Sequence, residues 1–205
     1  MNPWENISLS DYENHMSLDS VKQLQAMNKL MQKQFEEYPV TTAIVFGIAG
    51  GNGLEHVNKR KYKKVYGIDI NETYLNAVKE RYSKLGDILE CYKINVINES
   101  DKLPKAELVI ANLFIEYVGY NVFKKAILKS NPKYVSCIIQ INTDEETWVS
   151  NSPYIHAFDG LDKIHHQIEE NALINTMNEI GYKLLKTETY PLPNRKKLVM
   201  LDFEH

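Results

Sequence analysis

The residues best suited to chemistry cluster in one short stretch of the sequence. Four of the nine glycines lie between Gly47 and Gly53, directly after an apolar, β-branched run that ends at Phe46. A turn with so few side chains lets the backbone approach a ligand closely, and glycine adopts positive φ at little cost. Asp69 lies 20 positions after Ala49, at the end of a second apolar run. A carboxylate at that spacing can accept hydrogen bonds from both hydroxyls of a ribose, so the pattern predicts a nucleotide site.

The spacing of the glycines separates the classes of nucleotide that such a turn can hold. A dinucleotide turn needs the pattern G-x-G-x-x-G, whose third glycine lets the helix pack close to the strand. Reading from Gly51 puts His56 in the place of that third glycine, which argues against a nicotinamide dinucleotide and its oxidoreductase chemistry. The phosphate-loop pattern G-x-x-x-x-G-K-[ST] does not occur anywhere in the sequence, so that class of nucleotide site is excluded.

The elements that must position this turn alternate between strand and helix. We predict strands at 41–47, 64–69, 88–94, 107–112, 134–141, 182–190 and 198–203, of which 41–47 and 107–112 are almost wholly apolar. Three- and four-residue apolar spacing predicts helices from 19 to Pro39, from 54 to 59, and at 71–84, 118–130 and 163–180. Residues 1–16 and 142–162 have no regular pattern. Such alternation is typical of an α/β protein with a parallel sheet covered on both faces, where ligands bind beyond the carboxyl ends of the strands.

Composition and charge narrow the class of protein. The 205 residues fit one domain, and 43% hydrophobic content is typical of a globular chain. A balance of 24 basic against 27 acidic residues argues against a nucleic-acid partner. Cys91 and Cys137 make neither a disulfide framework nor a metal cluster, so we expect no metal. Without an apolar run of membrane length or a secretory signal, the sequence predicts a cytoplasmic protein with no membrane partner.

Four segments carry a resemblance to a known family. The segment Val45-Phe-Gly-Ile-Ala-Gly-Gly-Asn-Gly53 resembles the first motif of the class I S-adenosylmethionine-dependent methyltransferases, and residues 65–69 resemble their second motif. Residues 107–117 resemble the family's fourth-strand segment, and 197–203 its last strand. The resemblance implies a Rossmann-like fold: a doubly wound, mostly parallel seven-stranded sheet with an antiparallel last strand, over residues 39–205. Residues 1–38 would form an N-terminal arm and a cap helix.

The resemblance also implies S-adenosylmethionine as the cofactor and a set of residues that contact it. These are Gly47, Ile48, Ala49, Gly50, Gly51, Gly53, Asp69, Ile70, Asn95, Val96, Asn112 and Leu113. The sequence departs from the family pattern at three of them. Gly47 stands where the family usually has an acid, Ala49 replaces the first glycine of the turn, and Asn95 stands where an Asp often accepts from the adenine amino group.

In the resembling fold the methyl acceptor lies between the N-terminal segment and the loops after the fourth and fifth strands. The candidate substrate residues in this sequence are Tyr12, His15, Glu116, Tyr117, His156 and Arg195. Methyl transfer needs alignment and sometimes a general base, for which His15 and Tyr117 are the candidates. Each has a structural alternative: a solvated arm residue for His15, and half-buried packing for Tyr117. The pair His165–His166 could suggest a metal site, but adjacent residues do not share a helix face. The pair is therefore interpreted as part of a surface helix.

The function that follows is an S-adenosylmethionine-dependent methyltransferase, an enzyme acting on a small molecule as a monomer or homodimer. An alternative is a catalytically silent protein that binds S-adenosylmethionine or S-adenosylhomocysteine, an interpretation favoured by the missing acid at Gly47. A nucleic-acid or protein methyltransferase is a further alternative. Its nucleic-acid form is disfavoured, because residues 112–115 lack the two prolines that amino-group methyltransferases of nucleic acids carry there.

Overall fold

A sheet of seven strands organises the protein, of which the computed structural model describes residues 2–142, 148–193 and 195–205. The strands in chain order are β1 (Thr42–Phe46), β2 (Lys64–Asp69), β3 (Leu89–Lys93), β4 (Leu108–Asn112), β5 (Tyr134–Asn142), β6 (Lys183–Pro191) and β7 (Lys196–Glu204). Their order in the sheet is β3-β2-β1-β4-β5-β7-β6. Pairs among β1 to β5 are parallel, and β7 is antiparallel to both β5 and β6. The predicted fold class is therefore confirmed.

Helices cover both faces of this sheet. They are α1 (Leu9–Ser17), α2 (Gln23–Glu37), α3 (Glu72–Arg81), α4 (Val96–Glu99), α5 (Ile115–Ser130) and α6 (Glu170–Asn178). Successive side chains of a strand point to opposite faces. Ile44 and Phe46 of β1 therefore share a buried cluster with α5 and α6, whereas Ala43 and Val45 share another with α2 and α3. No helix in the described part of the chain has the length and apolar character needed to cross a membrane.

Two helix predictions were too long. The segment after the glycine turn forms only a 3-10 turn, Leu54–His56, and the backbone becomes extended at Val57, with φ −65° and ψ +108°. The predicted helix at 163–180 is limited to α6, preceded by a 3-10 helix at Ile155–Lys163. The backbone N–H of His166 donates to the carbonyl of Glu116 at 2.7 Å, which draws this segment onto α5 instead of into a helix. Part of the predicted irregular loop, 143–147, lies outside the described residues.

The N-terminal arm is more regular than its sequence indicates. It holds a 3-10 turn at Pro3–Glu5 and the helix α1, whose first turn is capped by the Ser8 hydroxyl accepting from Asp11 N at 3.1 Å. The sequence of α1 has no apolar stripe, since only His15 and Met16 of this helix are buried. The expectation of an irregular segment at 1–16 was wrong for that reason.

This N-terminal segment lies across the carboxyl ends of the strands. The carbonyl of Trp4 accepts from Asn71 Nδ2 at 3.0 Å, and the carbonyl of Ile7 accepts from the Tyr74 hydroxyl at 2.8 Å. Asn71 and Tyr74 follow β2 directly, so these bonds fix the segment above the edge where ligands bind in open α/β sheets. The division of the chain into 1–38 and 39–205 stays a prediction.

Candidate functional site

The glycine turn after β1 is built from left-handed residues at every second position. Gly47, Ala49, Gly51 and Gly53 have φ values of +61°, +46°, +80° and +94°. Ala49 adopts this conformation although a Cβ disfavours it by about 1–2 kcal/mol. Its backbone N–H donates to Asp69 Oδ2 at 3.0 Å, which holds the turn against the end of β2. The replacement of the family's first glycine by Ala49 therefore leaves the turn in place.

Asp69 lies at the end of β2 and faces the cavity formed between the strand ends and the N-terminal segment. It is 9% exposed. Its Oδ1 accepts from Asn71 N at 2.9 Å, and its Oδ2 from Ala49 N. Burial raises the pKa of this carboxyl, and the backbone donors Asn71, Ala49 and Ile70 oppose that rise. A carboxylate has about four lone-pair sites, so beside these backbone donors Asp69 keeps acceptor capacity for a ligand hydroxyl.

The same cavity brings together most of the residues predicted to contact the cofactor. Those that line it are Gly47, Ala49, Asp69, Ile70, Asn95, Val96, Asn112 and Leu113. Ile48 and Gly50 line a smaller adjoining hollow. Gly51 and Gly53 support the turn from behind, because a Cβ at either position would lie 2.7 Å from Tyr82 or Met31.

The two asparagines of the set already have partners within the protein. Asn95 Oδ1 accepts from Ile97 N at 3.1 Å and so caps α4. Asn112 forms a reciprocal amide pair with Gln34 of α2, with distances of 2.8 and 2.9 Å. Asn95 therefore keeps one oxygen lone pair for a ligand, whereas Asn112 mainly joins α2 to the end of β4.

Phe114 accounts for the glycine found where the family has an acid. A Cβ at Gly47 would lie 3.0 Å from Phe114 Cδ2. The Phe114 ring stacks on Phe46, with centroids 5.3 Å apart and planes 27° apart. A side chain at position 47 would press against this ring and would also have to adopt φ +61°, so the local structure favours glycine there.

The other half of the cavity has aromatic walls. Trp4 packs edge-on against Tyr117 with ring centroids 4.9 Å apart. Trp148 stacks on His165 at 4.0 Å with planes 15° apart. Tyr12 packs on the other side of Trp4 at 5.9 Å. All five residues line the cavity, which makes this half a mainly aromatic compartment.

Glu116 introduces a carboxyl into this aromatic half. It lines the cavity on the first turn of α5 and is only 4% exposed. Its Oε1 accepts from Gln140 N at 3.0 Å, but its Oε2 is buried without a hydrogen-bond partner. Burial raises the pKa of Glu116 to about 7, so its charge changes near neutral pH.

The two candidate general bases both line the cavity. His15 is 4% exposed and its Nδ1 lies 2.8 Å from Ser152 Oγ. Burial lowers the pKa of His15, and the charge of Lys196 lowers it further, so the imidazole is neutral near pH 7. Burial raises the pKa of Tyr117 well above its usual range, which favours its neutral phenol. The solvated-arm interpretation of His15 does not fit its burial.

Two candidate substrate residues lie away from the cavity lining. His156 is an exposed residue that pairs with Asp159 at 3.2 Å, and Arg195 is exposed next to the start of β7. The prediction of a surface helix at His165 was wrong, because this residue precedes α6 and lines the cavity. Burial lowers the pKa of His165 to about 4, and the neighbouring His166 adds to this effect. Among the described residues, no group of three or more His, Cys, Asp or Glu side chains could hold a metal ion.

Several cavity residues could not be recognised from the sequence. Gln23 and Gln140, which hydrogen-bond to each other, and Phe158 line the cavity although each stands in an ordinary polar or apolar position of its segment. The sequence shows only that the aromatic residues Trp148 and His165 both follow β5. Their stacking depends on a tertiary contact that no local pattern reports.

Structure comparison identifies the fold. The N-methyltransferase NodS from Bradyrhizobium japonicum WM9, in complex with S-adenosylhomocysteine, matches with a TM-score of 0.66 at 11% identity, covering 98% of each chain. Geranyl diphosphate methyltransferase, in complex with geranyl diphosphate and sinefungin, matches with a TM-score of 0.67 at 11% identity, covering 88% of this chain and 78% of that one.

A third match has a different printed activity. The [4+2]-cyclase SpnF matches with a TM-score of 0.64 at 8% identity, covering 90% of this chain and 82% of that one. No protein-family model matches the sequence, and no curated protein matches it either. The architecture, the strand order and these neighbours agree: the chain has the fold of the class I S-adenosylmethionine-dependent methyltransferases.

Proposed function

We propose that the protein is an S-adenosylmethionine-dependent methyltransferase acting on a small molecule. The observation that carries this proposal is the placement of the glycine turn and Asp69 on one wall of a cavity whose other half is aromatic. In open α/β sheets, ligands bind at this edge, where neighbouring connections pass to opposite faces. When bound, S-adenosylmethionine supplies a methyl group carried on a positively charged sulfur.

The residues present fit the nucleoside of this cofactor. Asp69 keeps acceptor capacity beside its backbone donors and faces the cavity, which suits the hydroxyls of a ribose. Ile70 and Val96 offer apolar contacts for the adenine, and Asn95 keeps an acceptor lone pair for its amino group. Gly47 and Ala49 expose the backbone of the turn to the amino-acid part of the cofactor.

The cover over the site supports a small acceptor. Trp4, Tyr12 and His15 lie over the strand ends and line the cavity from the side of the N-terminal segment. An acceptor that fits beneath this segment must be small, whereas a nucleic acid or a folded protein needs an open groove. A cytoplasmic location and a monomeric or homodimeric state are parts of the same proposal that follow from the sequence.

Calorimetric titration with S-adenosylmethionine, S-adenosylhomocysteine and NAD tests the proposed cofactor. We expect one equivalent of either sulfur nucleotide to bind, and no heat from NAD. Asp69→Asn should weaken binding of both by about tenfold or more, because hydrogen bonds to a charged acceptor are lost. The matched control Asp87→Asn changes an exposed carboxylate and should bind as the wild type does. Failure of both sulfur nucleotides to bind would remove the proposal.

A second function, binding without methyl transfer, is favoured by one observation. Gly47 stands where the resembling family has an acid that contacts the cofactor's amino group, and a Cβ there would lie only 3.0 Å from Phe114 Cδ2. Binding of S-adenosylhomocysteine without methyl transfer to phenethylamine or to other small acceptors would support this alternative.

A further inference from the structure

The aromatic half of the cavity contains a buried acceptor with nothing to accept from. Glu116 Oε2 has no hydrogen-bond partner, although the residue is only 4% exposed and lines the cavity. Buried polar groups are nearly always hydrogen-bonded, and a buried ionised carboxyl is costly unless it is paired. Oε2 itself is buried, so a ligand in this half of the cavity supplies the missing donor once the carboxyl group turns towards it.

Glu116 and Asp69 stand at different places along the carboxyl edge of the sheet. Its Oε1 is held by Gln140 N of β5, whereas Asp69 ends β2. In the sheet, β1 and β4 stand between β2 and β5. Among the described residues, the two carboxyls that line the cavity therefore lie at separate strand ends, which suits two subsites, one for the ribose and one for a second ligand.

The surroundings of this carboxyl favour a cation. The described residues that line the cavity include Trp4, Tyr117 and Trp148 but no Lys or Arg. Lys196 is near: its Nζ donates to the carbonyl of Trp148 at 2.7 Å and lies 3.3 Å from Ser150 Oγ, but it is not part of the lining. Aromatic faces attract ammonium groups, and this attraction is strongest where water is excluded.

We propose that the methyl acceptor is an amine, which enters as its ammonium ion and donates an N–H to Glu116 Oε2 between the aromatic walls. This inference rests on the proposed function and adds the class of acceptor to it. An ammonium nitrogen has no lone pair, so one N–H bond must break before the nitrogen can be methylated. Its electron pair stays on nitrogen, and the proton passes to Glu116 Oε2, where burial stabilises the neutral acid.

The two tryptophans of the chain, Trp4 and Trp148, both line the cavity, so intrinsic fluorescence reports directly on its occupancy. Three small probes of similar shape separate the possible charges: phenethylamine as the cation, 2-phenylethanol as the neutral form and phenylacetate as the anion. Each is titrated into the wild-type protein near neutral pH, with and without saturating S-adenosylhomocysteine. We expect phenethylamine to bind at least about tenfold more tightly than either of the others.

Glu116→Gln tests the residue. It keeps the acceptor for Gln140 N but loses the charge, and the preference for phenethylamine over 2-phenylethanol should fall to within about twofold. The exposed carboxylate variant Glu36→Gln is the matched control and should keep the wild-type preference. Circular dichroism verifies the fold of each variant, and the comparison of the three probes on the wild type needs no variant.

Several results would overturn the inference. Equal or tighter binding of phenylacetate or 2-phenylethanol to the wild type would do so, as would an unchanged preference in Glu116→Gln. If Glu116→Gln weakened S-adenosylhomocysteine and left phenethylamine unaffected, the carboxyl would serve the cofactor's own ammonium group. Titration with S-adenosylhomocysteine alone tests the proposed function separately, so failure of the cofactor and failure of the amine give different results.

Discussion

Replacing Glu116 with Gln should stabilise the protein at alkaline pH, because the wild type must bury a charge there. In the folded protein, burial raises the pKa of Glu116 from 4.5 to about 7. A carboxyl whose pKa is higher in the folded than in the unfolded state keeps its proton longer in the folded state. The free energy of unfolding of the wild type therefore falls as pH rises through this window. The amide of the variant carries no titrating proton, so the variant escapes this loss.

The size of the effect follows from the pKa. A tenfold change in proton binding corresponds to about 1.4 kcal/mol, so the rise from 4.5 to about 7 is worth roughly 3 kcal/mol once Glu116 is fully ionised. Part of this loss has already occurred at about pH 5, which leaves roughly 2–3 kcal/mol between about pH 5 and pH 8.5. Burial also raises the pKa of Tyr117, Tyr120 and Cys137, which lie within electrostatic range of Glu116, so they remain neutral over most of this window.

Urea unfolding of the wild type and of Glu116→Gln at both pH values measures the effect. The difference in free energy of unfolding between the two proteins should shift by roughly 2–3 kcal/mol in favour of the variant as pH rises. Glu36→Gln again serves as the control, since an exposed carboxyl should leave the pH dependence unchanged. Parallel stability curves for Glu116→Gln and the wild type would refute the view that this carboxyl is buried without a partner.

Two further predictions concern the turn and its cover. Gly47→Asp introduces the acid that the resembling family has at this position. It should lower the free energy of unfolding by about 1 kcal/mol or more, because φ is +61° there and a Cβ would lie 3.0 Å from Phe114. Thermal unfolding with no change in midpoint would contradict this. Arg81→Met removes the ion pair with Glu13 of α1, in which Arg81 Nη2 donates to Oε2 at 2.9 Å. We expect less than about 1 kcal/mol of global destabilisation but faster hydrogen exchange in α1; unchanged exchange there would show that this pair does not hold the N-terminal segment.

The sheet and the half of the cavity formed by the glycine turn and Asp69 were accessible to sequence reasoning because local patterns encode them. The central strands β1, β4 and β5 are largely apolar runs. A carboxylate at the end of β2 lies at the edge of the sheet where ligands bind in such folds. Ala49 shows how far this goes: its left-handed backbone could be expected from its position in a glycine pattern, and the bond to Asp69 explains how it is held.

The acceptor half was less accessible because it depends on contacts between distant segments. Helix α1 buries only His15 and Met16 and so has no apolar stripe to reveal it. His165 lies in a segment with helical spacing, but the bond from His166 N to the Glu116 carbonyl prevents the helix. Glu116 has an ordinary place in the α5 sequence, and the bond from Gln140 N of β5 to its Oε1 is a contact between distant segments that no local pattern reveals.

A crystal structure of the complex with S-adenosylhomocysteine tests the central claim most directly. We predict the nucleoside at the ends of β1 and β2, with both ribose hydroxyls on the Asp69 carboxylate and the adenine between Ile70 and Val96. Glu116 Oε2 should remain free of contact with the nucleoside and face the aromatic half of the cavity. A nucleoside bound elsewhere, or in this cavity with its ribose turned away from Asp69, would contradict the account.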